Sequence, residues 1–323
     1  MAYNIIYNGK DEATTHKDVI GIAFAELAAE DPDVIYLDAD LLSSSGMAPF
    51  AAKNPTRAIN CGVQEANMIG VAAGLSAVGK KPYAHSFAPF ASRRCFDQVF
   101  LSVGYAKNSV RVIGTDAGVT AAFNGGTHMP FEDMALMRAV PGSAVIDITD
   151  GVMLKAVLKQ VKDRKGLTYI RSTRKTYKAV FGEGSEFEIG KGITLRDGTD
   201  ATVIACGLLV GEAMLAAEIL AEEGISLRVV NIFTVKPIDE ELIIKCAKET
   251  GALVAAENHS VIGGLCSAVS DVVVRNCPVP MEFVGVNDEF GEVGPQEYLV
   301  ERYELTAKNI VEKVKKVIKK ASR

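Results

Sequence analysis

An α/β fold in two domains, each built around a mostly parallel sheet, is predicted by three observations. Short apolar runs rich in β-branched residues, such as 34–40, 110–115 and 143–148, alternate with helical periodicity along the chain. That alternation is interrupted once, over 176–200, and then resumes. A length of 323 residues is enough for two domains with separate cores. Strands joined through helices call for right-handed βαβ units and hence parallel pairing. The expected division is 1–175, a linker over 176–200, and 201–323.

In the first domain, HKDVIGIAFAELAAE (16–30) predicts a helix that feeds the strand VIYLDAD (34–40). An apolar helix after Glu65 leads to the strand PYAHSF, and a helix over about 92–106 leads to VRVIGT (110–115). A helix over about 131–138 precedes SAVIDI (143–148), and one over 151–162 precedes LTYIR (167–171). The stretch 176–200 shows little periodicity and is bracketed by GEG and DGTD turn signals, which predicts a linker with a hairpin-like excursion. The second domain reads as strand 201–207, helix 210–224, strand 227–232, helix 239–250, strand 252–258, helix 262–275, strand 281–286 and a last helix from about 305. That helix, KNIVEKVKKVIKK, places Val and Ile on one face with Lys around them. It reads as a docked surface helix whose lysines suit the negative end of its dipole.

Composition narrows the class. Hydrophobic residues at 48% and charged residues at 23% are ordinary for an α/β protein with a large buried fraction. A net charge of −5 gives no electrostatic case for nucleic acid or an anionic membrane. No apolar run approaches the ~18 residues of a membrane span. Six scattered cysteines without a C-x-x-C pair, and no basic segment followed by an apolar core at the start, predict free thiols in a reducing cytoplasm.

Residues 61–98 carry the sharpest functional signal. Glu65 opens a helix in which Met68, Ile69, Val71, Ala72 and Leu75 are spaced by small residues, so the helix is apolar nearly all round. Such a helix is buried in a large protein or at an oligomer interface. A carboxylate at its start is either an aid to the helix terminus or a buried functional acid. The next strand ends in two aromatics, Phe87 and Phe90.

GVQEANM, then an apolar helix, a Lys-Pro strand and SFAPFASRRCFDQV, resembles the pyrimidine-binding domain of thiamine-diphosphate enzymes, transketolase in particular. THMPFEDMALMRAVPGSAVIDITD (127–150) and YIRSTR (169–174) resemble later segments of the same domain. NIFTVKPID (231–239) and AAENHSVIGGLCSAVS (255–270) resemble the transketolase C-terminal domain. The matches occur in family order over nearly the whole chain. The Gly-Asp-Gly motif with which full-length transketolases grip the diphosphate and its metal is absent from this sequence. The resemblance therefore implies the C-terminal subunit of a split transketolase, with a separate N-terminal subunit carrying the diphosphate and magnesium grip.

Thiamine diphosphate carries the organic chemistry, and its protein must bind, orient and tune it. The resemblance makes Glu65 the catalytic acid that hydrogen-bonds the aminopyrimidine ring, a role that works best in a buried site. It makes Phe90 the residue stacked on that ring and Phe87 a lining residue. Asp40 and Leu41 match a turn that contacts the cofactor across a subunit interface, and Ser44 matches a serine on the substrate phosphate, although a Ser-rich turn is also an ordinary helix cap. Arg174 matches an arginine that holds the terminal phosphate through its two-pronged donor geometry. Arg171 has a less defined place in the same motif. His128 matches a histidine of the cofactor and substrate pocket, on a turn that also reads as a helix start. His85 is a candidate pocket residue, His259 reads as structural or interface-forming, and His16 as a surface residue.

The chain departs from the pattern at Asp116, where the family usually carries His, and at Asn124, where it carries an acid; Gly125-Gly126 stands where Gly-Pro is usual. Both Asp116 and Asn124 become candidate substrate contacts, and the sugar is the property they put in question. The activity implied is transfer of a two-carbon ketol unit from a ketose phosphate to an aldose phosphate through the ylide of thiamine diphosphate, in an α2β2 assembly with interfacial sites. The rival enzyme readings are the β subunit of the thiamine-dependent component of a 2-oxo acid dehydrogenase and half of a deoxyxylulose-phosphate synthase. The rival from another class is a non-catalytic regulatory partner with the same fold.

Overall fold

The computed structural model describes residues 2–322. Among these described residues, twelve strands form two sheets. In chain order they are β1 Val34–Asp38, β2 Ala58–Asn60, β3 Lys81–Phe87, β4 Arg111–Thr115, β5 Ala144–Asp147, β6 Thr168–Arg171, β7 Ile193–Arg196, β8 Ala201–Ala205, β9 Leu227–Asn231, β10 Thr234–Lys236, β11 Leu253–Ser260 and β12 Met281–Val286. The first sheet runs β10-β5-β6-β4-β3-β1-β2 and the second β12-β11-β8-β9-β7. β1 to β6 pair in parallel, and so do β8, β9, β11 and β12. Helices cover both faces, so central strands such as β1, β4 and β8 are buried at every position and read as unbroken apolar runs, without alternation.

The strand order reverses at β1. The chain steps from β1 outward to β2, then returns to place β3 on the other side. In open parallel sheets such a reversal leaves a crevice at the carboxyl ends of the strands. Asp40, Glu65, Asp116 and Arg174 follow within a few residues of the ends of β1, β2, β4 and β6, and Phe87 is the last residue of β3.

The two halves interlock. β10, from the second half of the sequence, pairs antiparallel with β5 at the edge of the first sheet. Arg171, at the end of β6, is fully buried and ties the same region together. Its Nε donates to Asp133 Oδ2 at 2.8 Å, its Nη1 to Asp147 Oδ2 at 3.3 Å and its Nη2 to the carbonyl of Asn258 at 2.5 Å. Burial in reach of two carboxylates keeps the guanidinium charged, with its pKa raised although desolvation opposes it. The Asn258 side chain, on β11, then clamps the turn after β4: its Oδ1 accepts from Val119 N–H and its Nδ2 donates to the Ala117 carbonyl, both at 3.0 Å. Gly118 sits in that turn at φ +56°, and a Cβ there would collide with Asn258.

Several expectations change. The stretch 176–200 is packed structure more than linker: Tyr177, Val180, Phe181 and Phe187 are buried, Phe181 and Lys178 bridge to Ile5 and Asp11, and β7 closes an edge of the second sheet against β9. The helix expected over 92–106 is broken into a 3-10 turn (Arg93–Cys95), a short α segment (Phe96–Gln98) and a wide π-type turn (Val99–Tyr105). The break follows Ser92, and it leaves Cys95, Val99 and Val103 facing the core at four-residue spacing. The helix Glu65–Ala77 is covered on one face only; Asn67, Gly70, Gly74 and Ala77 remain exposed, which leaves the interface branch of the expectation open. His16 is not on the surface. It is wholly buried, between Ser172 Oγ at 2.7 Å and Glu12 Oε2 at 2.9 Å, because the chain after Arg174 folds across the start of the first helix. The terminal helix Ala307–Ala321 docks as expected, burying Ile310, Val311, Val314 and Val317, with Lys316 and Lys320 paired to Glu282. Among the described residues no helix is long and apolar enough to cross a membrane.

Replacing Arg171 with Met would leave two buried carboxylates facing each other without a cation. Denaturant unfolding of that variant should show a loss of about 3–5 kcal/mol. Asn258→Ala orphans a buried N–H and a buried carbonyl, and the same measurement should give a loss of about 1–3 kcal/mol.

Candidate active site

Glu65 is the first residue of its helix and only 2% exposed. Its carboxylate accepts from Ser86 Oγ, near the end of β3, at 3.1 Å. It also accepts from Arg94 Nη1 at 3.0 Å and 2.9 Å, one bond to each oxygen. The Arg94 guanidinium lies over the face of Phe90, 3.8 Å from the ring centroid, a cation–π contact. Phe90 belongs to the one-turn helix Ala88–Ala91 that follows β3, and its ring centroid is 6.4 Å from that of Phe87.

His128 joins this group from the turn before helix Asp133–Ala139. Its ring stands edge-on to Phe90 at 4.9 Å and lies 6.0 Å from Phe87. Its Nδ1 is 2.9 Å from Thr127 Oγ1. Burial, and then the nearby Arg94 and Arg93, push its pKa below the usual histidine value, against a smaller opposing pull from Asp116. Arg93 fixes the turn by donating to the Thr127 carbonyl and to Glu132 Oε1, each at 2.7 Å.

Arg174 closes the other side. Its guanidinium lies 4.8 Å above the Phe87 ring. Asp116, nearly buried and held at φ +56° in the turn after β4, meets it with one oxygen: Oδ2 is 2.7 Å from Nε and 2.5 Å from Nη2. Aspartate is one of the few side chains that tolerates a positive φ. The Asn258 clamp from the second sheet fixes the backbone immediately after it.

Six of the residues singled out in the sequence thus converge: Glu65, Phe87, Phe90, His128, Asp116 and Arg174. Asp40, Leu41 and Ser44 line a separate open cavity of about 450 Å³ with Ser43 and Asn60. Asp40, also at positive φ, exchanges two hydrogen bonds with Asn60, at 3.1 and 3.0 Å. His85 does not reach either group. It is fully buried between Asp38 Oδ2 (3.1 Å) and Thr115 Oγ1 (3.0 Å), so both ring nitrogens serve the sheet interior. Asn124 is exposed at the end of the turn Gly118–Asn124, outside the converging group. Gly126 packs against the Gly291 carbonyl so closely that no Cβ fits, which accounts for Gly-Gly at this point. His259 is buried and its Nδ1 donates to the Ser260 carbonyl at 2.7 Å, a structural position. Arg94, Ser86 and Arg93 went unnoticed in the sequence. Only the break at Ser92 turns Arg94 toward Glu65, and helical spacing gave no sign of it.

The group fits a flat, hydrogen-bonding heterocycle on an observation internal to the chain. A planar cation, the Arg94 guanidinium, already stacks on Phe90 while donating to the Glu65 carboxylate. An aminopyrimidine needs the same two partners. Among the described residues, no three His, Cys, Asp or Glu side chains are grouped to hold a metal ion.

Comparison with known proteins identifies the family. Residues 12–179 match the transketolase pyrimidine-binding domain and residues 190–310 the transketolase C-terminal domain. A 6-deoxy-6-sulfo-D-fructose transketolase subunit from a Clostridium species is 51% identical over 88% of this chain and 89% of its own. A putative transketolase C-terminal section from Methanocaldococcus jannaschii is 41% identical over 93% and 95%. The transketolase of Rattus norvegicus is 32% identical over 97% of this chain but only 50% of its own length. A solved structure described as a split gene transketolase, inactive beta4 tetramer, superposes with a TM-score of 0.89 at 42% identity, covering 95% of this chain and 99% of that one. The chain belongs to the transketolase family, carries its pyrimidine-binding and C-terminal domains, and resembles the separate C-terminal subunits of its split members.

Proposed function

We propose that this chain is the C-terminal subunit of a two-chain transketolase that moves a two-carbon ketol unit from a ketose to an aldose, each with an anionic terminus. The observation that carries this reading is the buried Glu65 carboxylate facing the stacked Phe90 at the switch point of a parallel sheet. The bond between the second and third carbons of the donor breaks, releasing a shortened aldose. A new carbon–carbon bond then forms to the carbonyl carbon of the acceptor, whose oxygen takes up a proton.

Thiamine diphosphate, when bound, supplies the nucleophilic carbon for this exchange. Glu65 would hold a proton against the aminopyrimidine nitrogen, with Ser86 fixing one carboxylate oxygen. Phe90 and Phe87 would keep the ring flat and exclude water. His128, whose pKa is lowered by burial and by Arg94 and Arg93, would exchange hydrogen bonds with substrate oxygens. Arg174 would hold the anionic end. A separate N-terminal subunit would grip the diphosphate and magnesium, which no acidic cluster of the described residues is arranged to hold. The exposed face of helix Glu65–Ala77 supports an interfacial site in an α2β2 assembly. The name of the solved relative, an inactive tetramer of β chains alone, supports the need for a partner. Six free cysteines fit a reducing cytoplasm.

Glu65→Gln, assayed with the partner subunit and saturating cofactor, should lower kcat by at least ~10²-fold, the usual worth of a positioned acid–base group. Co-purification with the partner should be unchanged; full activity in this variant would instead support a non-catalytic role. Phe90→Ala should raise the dissociation constant for thiamine diphosphate by up to about tenfold, read by calorimetry on the assembled enzyme.

A further inference from the structure

The charge around the anion-holding arginine is unusual. Three guanidiniums border the aromatic pair, and each already has its own carboxylate: Arg174 with Asp116, Arg94 with Glu65, and Arg93 with Glu132. Burial, then Arg94 and Arg93, disfavour a positive charge on His128. The neighbouring Lys175 points away to Gln296 at the surface. The described residues of this group therefore present no surplus positive charge to a ligand.

Asp116 matters most because it shares a guanidinium with the incoming anion. It takes the Nε and Nη2 side of Arg174, while Nη1 has no protein partner among the described residues. An anion arriving at that free edge would sit across one planar group from a fixed, nearly buried carboxylate. Asp116 offsets part of the attraction by Arg174 in proportion to the anion's charge, whereas the cost of taking the anion out of water rises with the square of that charge, so a dianion is penalised more than a monoanion at a guanidinium already shared with a carboxylate. A phosphate monoester has its second pKa near 6 and is mostly dianionic above neutrality. A sulfonate offers the same three acceptor oxygens with a single charge at any physiological pH. One relative is named for a sulfosugar and another, at 33% identity, for apulose 4-phosphate, so both termini occur among similar chains.

We propose that Asp116 sets the charge class of the substrate, so that the site takes a sugar ending in a sulfonate in preference to one ending in a phosphate. This rests on the transketolase reading above, with Arg174 as the residue that receives the anion. Asp116 acts through Arg174 and is a specificity-determining residue with no part in bond making.

The test uses the assembled two-chain enzyme with thiamine diphosphate and magnesium, and one uncharged short aldose as acceptor throughout. Three donors are compared by kcat/KM: 6-deoxy-6-sulfo-D-fructose, D-fructose 6-phosphate and an uncharged ketose. The wild type should favour the sulfonate over the phosphate by about tenfold or more. Asp116→Asn, which suits the same positive φ and keeps a hydrogen-bonding oxygen for Arg174, should raise kcat/KM for the phosphate by about tenfold and move the sulfonate far less. Asp116→Gly, which also accepts that backbone, should shift the ratio the same way. Equal use of the two anions by the wild type, or an unchanged ratio in both variants, overturns the charge filter while turnover of the uncharged ketose leaves the transferase reading standing. Failure of all three donors overturns the transferase reading and the filter with it.

Discussion

A single buried cation organises this molecule. Arg171 sits at the end of β6 with no exposure to solvent, and its three donor positions reach Asp133, Asp147 and the Asn258 carbonyl. These partners come from the helix after the His128 turn, from β5 and from the second sheet. Carboxylates and a guanidinium taken out of water are tolerable only together, because any one left alone faces the full desolvation penalty. The same contact joins two sheets whose parallel strands could otherwise slide. Tyr169 adds a hydrogen bond to Asp133 at 2.7 Å, and burial raises the pKa of Asp147, opposed in part by Arg171.

The candidate site inherits its precision from that centre. Asn258 lends its carbonyl to Arg171 and its side chain to the turn that carries Asp116. Asp116 in turn positions Arg174 over Phe87. A chain of contacts thus runs from the second sheet to the Arg174 guanidinium over Phe87. Opposite, Ser86 and Arg94 fix Glu65 against Phe90. Each arginine at the mouth is matched by a carboxylate, so the fold is not strained by uncompensated charge before a ligand arrives.

Fold class and the alternation of strands and helices were legible because parallel strands buried on both faces leave unbroken apolar runs, and helices between them keep their period. Glu65, Phe90, His128 and Arg174 were legible through motif order. What escaped were features set by distant partners. His16 has the spacing of a surface residue, but its ring is covered by Ser172 and Tyr177, more than 150 positions along the chain. His85 lies beside the aromatics in sequence, yet alternation along β3 turns it into the sheet toward Asp38. The segment around 177–181 reads as a linker because 176–200 shows little periodicity; Tyr177, Val180 and Phe181 are nonetheless buried, and Phe181 bridges to Ile5 near the start of the chain. Arg94 was hidden by a break in helical geometry at Ser92, for which no glycine or proline at that position gave warning. The pairing of Asp116 with Arg174 is another long-range contact, between strand ends that only the sheet order brings together.

On the proposed function, the chain holds the cofactor ring and the substrate anion but cannot act without a second chain. The most direct test is a reconstitution titration, with this chain at fixed concentration in thiamine diphosphate and magnesium and a purified N-terminal transketolase subunit added in increasing ratio. Ketol transfer should be absent from either chain alone and should rise to a plateau at one partner per chain. Full activity from this chain alone, or a stable complex with no activity at any ratio, would contradict the account.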